Sequence, residues 1–254
     1  MRILLTNDDG IHAPGILAVK QTLETLGEVF TVAPERQRSA SGHGMTMHKP
    51  LRITSVTLSN GSQGYSISGT PTDCVVLGVD IVMEGRCDLV VSGINSGSNL
   101  GGDITYSGTV SAAFEAAILR LPSLAISLAI EKHHTGSIDY APAARFAVKA
   151  VQQLIARPLP TQTFVNINVP AVAEEAIKGV RITHQGKREY IDRVETRQDP
   201  SGRPYYWQYG SLREFEHDPE SDVHAVLENY ISVTPIQLDL TAYAVLDRVR
   251  EWEL

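Results

Sequence analysis

Arg2-Ile3-Leu4-Leu5-Thr6-Asn7-Asp8-Asp9-Gly10, with residues 14–26 behind it, carries the strongest signal of the fold. Its short apolar run suits a buried strand, and Asn-Asp-Asp-Gly after it is turn chemistry. In residues 14–26, Ile16, Leu17, Val19, Leu23 and Leu26 recur at helical spacing, so the unit reads as strand, loop, helix. The same alternation continues downstream. Residues 29–33, 89–92, 124–130 and 164–169 read as buried strands, and 71–82, a segment from about 109, and 140–156 read as helices. The helix at Pro71 carries agreeing start signals, with Thr70 as N-cap, Pro71 at the first position and Asp73 at the third. Such alternation predicts an α/β fold: a Rossmann-like three-layer α/β/α arrangement with a mostly parallel sheet.

Other segments depart from that pattern. Residues 51–58 and 65–68, joined through Asn60-Gly61, read as a hairpin. From Val180 onward polar stretches alternate with aromatic residues, among them Tyr205, Tyr206, Trp207 and Tyr209. These suit hairpin core and an arm against another subunit equally, because aromatics favour strands and interfaces alike. A last helix is expected over 242–252. The predicted organisation is a core over 1–185 and a hairpin with a C-terminal extension over 186–254.

With 254 residues the chain fits one large α/β domain or two small ones. Lys and Arg number 22 against 29 Asp and Glu, a net charge of −7 that argues against a duplex nucleic-acid partner. At 43% hydrophobic and 20% charged the composition is that of a globular chain. The longest apolar runs are a few residues, far short of the ~20 that span a bilayer, so no membrane partner is expected. The first residues lack the apolar core and cleavage site of a secretory signal, which predicts a cytoplasmic protein. Cys74 and Cys87 are the only cysteines, and reduced buried thiols are the expected state rather than a disulfide or a thiolate-rich zinc site.

Ligands of open α/β sheets sit outside the carboxyl ends of the parallel strands, so the loops leaving those ends carry the functional reading. The first holds Asp8 and Asp9, the second Arg36, Arg38, Ser39 and Ser41, and the third Asn95, Ser96, Ser98 and Asn99. Adjacent carboxylates repel, and keeping both ionised calls for a cation or several donors. Asp8, Asp9, Ser39 and Asn95 form an all-oxygen set suited to Mg²⁺, Mn²⁺ or Ca²⁺, although Asn-Asp-Asp-Gly alone also reads as a turn and helix cap. An anion site is expected beside it. Gly93, Gly97, Gly101 and Gly102 let the backbone approach a ligand, and Ser107-Gly108-Thr109 opens a helix whose N–H groups favour phosphate, with Asn99 nearby. That tripeptide also reads as a plain cap. His12, His43 and His48 lie in these loops and are candidates for proton transfer, whereas His133-His134 suggests no role. The nucleotide-binding glycine patterns and the Gly-x-Ser-x-Gly elbow are absent from the sequence.

Asn7-Asp8-Asp9-Gly10, Ala33-Pro34 with Ser39-x-Ser41-Gly42, Gly69-Thr70-Pro71-x-Asp73-Cys74, Ser92-Gly93-Ile94-Asn95-x-Gly97-x-Asn99 and Ser107-Gly108-Thr109-Val110-x-Ala112-Ala113 closely resemble the SurE family of survival proteins. Ser232-Val233-Thr234-Pro235 and Asp239-Leu240-Thr241 resemble the family's C-terminal segment, while 193–219 supplies no motif. The resemblance implies a metal-dependent 5′/3′-nucleotidase acting on nucleoside monophosphates, with short-chain polyphosphate as a further substrate and one divalent ion per subunit. It implies Asp8, Asp9, Ser39 and Asn95 as metal ligands, and a homodimer or homotetramer built by exchanging the C-terminal segment. Asp8, Asp9 and Asn95 are the expected catalytic residues, and Asn99, Ser107, Gly108 and Thr109 the expected phosphate contacts. A phospho-accepting receiver module would offer a third Asp and a Lys where this chain has Asn95 and no evident Lys. A haloacid-type phosphatase would space its aspartates Asp-x-Asp.

Overall fold

The computed structural model describes residues 1–130, 137–188, 190–191, 194–208, 211–212 and 218–253. His133-His134 and Tyr209 lie outside them. In chain order the elements are β1 (Arg2–Thr6), α1 (Pro14–Leu23), β2 (Glu28–Pro34), β3 (Ile53–Thr57), β4 (Gln63–Ile67), α2 (Pro71–Leu77), β5 (Leu89–Ser96), α3 (Gly108–Ile118), β6 (Ser123–Ala129), α4 (Ala141–Ala156), β7 (Thr163–Pro170), β8 (Val180–Ile182), β9 (Tyr190–Ile191), β10 (Val194–Gln198), β11 (Pro204–Gln208), β12 (Ser211–Leu212), α5 (Asp222–Leu227), β13 (Ile231–Gln237) and α6 (Leu246–Arg250). A π-type turn, Gly78–Val82, continues α2 over the range the sequence predicts.

The main sheet has nine strands in the order β3-β4-β2-β1-β5-β6-β7-β13-β8. β1 pairs in parallel with β2 on one side and β5 on the other, so the winding direction reverses at β1. A reversal of this kind opens a crevice at the carboxyl ends of the two flanking strands, the ordinary ligand position in such sheets. Side chains alternate across it. Ile3 and Leu5 pack with Ile16, Val19 and Ala147 on one face, while Leu4 packs with Val75, Ala112 and Ala116 on the other. Helices therefore cover both faces, and the small residues of α3 let it lie close to β5 and β6.

Two features differ from the sequence reading. Ile231–Gln237 falls inside the expected extension, yet it forms β13, antiparallel to β7 and parallel to β8 within the main sheet. Ile231, Ser232 and Thr234 are buried there, so the first half of the strand is covered on both faces, as a strand inside a sheet is and an outlying arm is not. The expected last helix is shorter, a 3₁₀ turn at Tyr243–Val245 followed by α6. None of its residues is buried, and a short helix without an apolar surface to lean on propagates poorly. The aromatic stretch does form a hairpin, β10–β11, but its rings face solvent: Tyr206 is 65% and Trp207 59% exposed.

Candidate functional site

Asp8 and Asp9 stand at the carboxyl end of β1, where four segments meet. Asp8 is buried, and its Oδ1 accepts a 2.5 Å hydrogen bond from Thr109 Oγ1 at the tip of α3. A hydrogen bond to an ionised group is worth about 1.5–3 kcal/mol, enough to hold the helix tip in register with the strand end. Burial pushes the Asp8 carboxyl above its ordinary range against the pull of Thr109, and the neighbouring Asp9 charge adds to the rise. Gly108 makes this approach sterically feasible, since a Cβ there would lie 2.7 Å from Asp8 Cβ.

Asp9 ties the strand end to two other loops. Its Oδ2 accepts from Ser96 N at 2.9 Å, which joins it to the end of β5. Its Oδ1 accepts from Gln37 Nε2 at 3.4 Å, and the same nitrogen donates to Ser39 Oγ at 2.9 Å. Arg38 N donates to Asp8 O at 2.7 Å, so the backbone of the second loop is anchored on the first. That loop is also pinned farther out. Thr46 donates from N and Oγ1 to Asp73, and Thr70 Oγ1 donates to Gly44 O, so the capping box that starts α2 doubles as its anchor.

Asn95 owes its position to an irregularity in β5. The register against β6 shifts between Ser92 and Asn95, where Gly93 takes φ +134° and a Cβ would fall 2.2 Å from Ile126 O. Such a bulge re-aims the residues that follow it. Asn95 Nδ2 then donates to Gly97 O at 2.8 Å, which commits the amide nitrogen and leaves Oδ1 to accept. Two carboxylates, a hydroxyl and an amide oxygen form a donor set that fits a hard divalent cation. Among the described residues neither aspartate has an ion-pair partner, and no group of three or more His, Cys, Asp or Glu gathers to hold a metal, here or elsewhere. Arg38 Nε and Ser41 Oγ, in the same loop as Ser39, are buried without a hydrogen-bond partner, a feature that calls for an explanation such as a bound group.

The structure gives the expected phosphate contacts specific places. Ser107 is the N-cap of α3, its Oγ accepting from Val110 N at 3.1 Å, and the Thr109 hydroxyl is spent on Asp8. Both side chains are thus engaged, and what the tip offers a ligand is backbone amide and dipole. Asn99 is buried beneath the site. Its N donates to Asn168 Oδ1 at 2.8 Å, its Nδ2 donates to Ser127 Oγ at 2.8 Å, and its O accepts from Asn166 and Asn168 at 2.9 Å each. His12 and His48 are exposed, and His43 pairs with buried Glu115, two turns along α3 from the tip, at 2.8 Å.

A family model described as Survival protein SurE matches residues 3–192. The chain belongs to the SurE family. A 5′-nucleotidase SurE of Geobacter sulfurreducens is 48% identical over 254 residues, 100% of this chain and 94% of its own. The one of Symbiobacterium thermophilum is 49% identical, with 99% and 98% covered. The crystal structure of SurE protein from Aquifex aeolicus superposes with a TM-score of 0.84 at 42% identity, covering 98% of each chain. The SurE motifs of the sequence, 7–10, 33–42, 92–99 and 107–113, are those that converge on the β1–β5 crevice. Sequence reasoning missed Gln37, which bridges Asp9 and Ser39, and the asparagine pair Asn166 and Asn168 on β7. Alternating Asn-x-Asn inside an apolar strand was the available signal, since buried amides require partners. Among the described residues no helix is long and apolar enough to cross a membrane.

Proposed function

We propose that this protein is a metal-dependent 5′/3′-nucleotidase that hydrolyses nucleoside monophosphates to nucleoside and phosphate, with short-chain polyphosphate as a further substrate. The observation that carries the reading is the meeting of Asp8, held by the α3 tip through Thr109, with Asp9, tied to both the β5 end and the Ser39 loop. The names of the Geobacter and Symbiobacterium relatives support it. Asp8, Asp9, Ser39 and Asn95 would hold one Mg²⁺, Mn²⁺ or Ca²⁺. When bound, such an ion supplies Lewis-acid neutralisation of phosphoryl charge.

The residues of the chain divide the remaining work. The first turn of α3, from Gly108, turns its N–H groups and positive dipole end toward a phosphoryl group beside Asp8. Thr109 keeps Asp8 oriented by donating to its Oδ1. Asn99 shapes the intervening turn from beneath. Phosphate-ester hydrolysis is among the slowest reactions in water, so a site that fixes donors before substrate arrives is where rate is gained.

The reading extends to assembly and setting. The β10–β11 hairpin and the C-terminal segment, with Leu240 85%, Tyr243 65% and Trp252 62% exposed, supply apolar surface for a homodimer or homotetramer in which the segment is exchanged. Two cysteines without a disulfide suit a cytoplasmic setting. The test is phosphate release from 5′-AMP and 3′-AMP with Mg²⁺, Mn²⁺ or Ca²⁺ and with EDTA, on wild type and Asn95→Ala. Metal-dependent release that EDTA abolishes and Asn95→Ala lowers at least tenfold is expected. Full release in EDTA, or a fully active Asn95→Ala, overturns the assignment.

A further inference from the structure

The run from Gly97 to Tyr106 separates Asn95 from the α3 tip, so its shape sets how the cation-holding and phosphate-holding halves of the site face one another. It contains Gly97, Gly101 and Gly102, and Leu100 is its one buried apolar side chain. A glycine-rich backbone loses much conformational entropy when ordered, so polar tethers must hold it. Asn99 is the tether from beneath. From the outside the tethers come from Gln185, Arg188, Tyr190 and Asp222, residues the sequence motifs leave unassigned. Gln185 Nε2 donates to Gly101 O at 2.9 Å, and Asp222 accepts from Gly101 N at 2.9 Å and Gly186 N at 2.8 Å.

Arg188 stands out among these tethers because a single nitrogen reaches both banks of the turn. Its Nη1 donates to Asp103 Oδ2 at 2.6 Å and to Ser98 Oγ at 3.3 Å, and Tyr190 OH donates to the same Asp103 oxygen at 2.6 Å. The Arg188 and Asp103 side chains are 12% and 22% exposed, so solvent screens this pair less than a surface ion pair. Ser98 follows Gly97, whose carbonyl fixes the Asn95 amide, and Asp103 O accepts from Tyr106 N, one residue before the α3 cap. We propose that Arg188 is a positioning residue of the site: by clasping Ser98 to Asp103 it holds the turn that aims the Asn95 oxygen and the α3 tip at one point. This rests on the reading of Asp8, Asp9, Ser39 and Asn95 as the cation ligands.

The test is Mn²⁺ binding to the full chain, by electron paramagnetic resonance and calorimetry, alongside thermal unfolding and steady-state kinetics on AMP. Arg188→Ala is expected to weaken Mn²⁺ binding by about tenfold, the low end of the range for groups bonded directly to metal ligands, because it acts on Asn95 only through Ser98 and Gly97. The fold should persist, with kcat lowered more than KM. Arg188→Lys should recover part of the affinity, since it keeps the charge but loses the planar fork. Asp8→Asn serves as the reference. If it binds Mn²⁺ like wild type, the cation site itself is misassigned; if it loses Mn²⁺ while Arg188→Ala binds normally, the clasp alone is refuted. Should Arg188→Ala fail to fold, Ser98→Ala, which removes one side of the clasp, takes its place, with a weakening of a few-fold expected and unchanged affinity overturning the proposal.

Discussion

Replacing Gly108 by alanine puts a methyl group 2.7 Å from Asp8 Cβ and 3.0 Å from both Asp8 Oδ2 and Pro71 Cγ. None of these neighbours is the loose end of a long side chain: one belongs to a residue at a strand end, another to a proline ring at the start of α2. Relief therefore has to come from the helix, which must withdraw by a good part of an ångström. Overpacking of this kind costs roughly 1–3 kcal/mol, offset by up to about 1 kcal/mol from alanine's better helix propensity. A net loss of about 1–2 kcal/mol lowers Tm by roughly 2–8 °C in a chain of this size. The effect on catalysis should be larger. The same withdrawal stretches the 2.5 Å bond from Thr109 to Asp8, and a misplacement near 1 Å costs on the order of 10²-fold in rate. Scanning calorimetry and phosphate release from AMP, measured on the same preparation, test both halves. A Gly108→Ala protein with unchanged Tm and at least half the wild-type kcat would mean that the α3 tip does not bear on Asp8.

Asp73→Ala removes the acceptor for Thr70 N, Thr46 N and Thr46 Oγ1 together, and should cost about 2–4 kcal/mol through the lost cap and stranded donors. Urea unfolding midpoints measure that loss; a shift below about 0.5 kcal/mol would show the second loop to be held elsewhere. Burial pushes the Cys74 thiol well above its ordinary 9.0 and that of Cys87 upward to a lesser degree. Because the folded values are raised, the stabilisation these thiols give is complete below the unfolded value and fades as pH rises through the folded one. Stability should therefore fall above about pH 9, and at pH 8 Cys74 should resist a thiol-reactive dye until the chain unfolds. Rapid labelling of Cys74 in the folded protein would contradict its burial.

The parallel core was legible because its strands are short apolar runs and its helices carry period and caps: Ile3 to Leu5, the Thr70–Asp73 box and the alanines of α3 all agree with their final places. The place of β13 in the sheet is not legible, because Ile231–Gln237 contains Pro235 and polar residues, and its partners β7 and β8 lie about 50 to 70 positions earlier. Pairing at that separation leaves no local signature. The candidate site residues were legible as loop motifs, but their contacts were not. Nothing in the spacing of Gln37 or Arg188 reveals that each nitrogen bridges two partners, since that depends on where independent loops come to rest.

The placement of β13 also has a bearing on biosynthesis. Strand β7, complete by Pro170, keeps one edge bare until Ile231–Gln237 emerges from the ribosome and pairs with it, and β8 has no seat in the sheet before then. For the time taken to translate some sixty residues the nascent chain carries an open strand edge, the kind that invites mispairing with other chains. Premature stop codons between residues 171 and 230 should consequently yield insoluble fragments, even though every motif of the crevice has already been made.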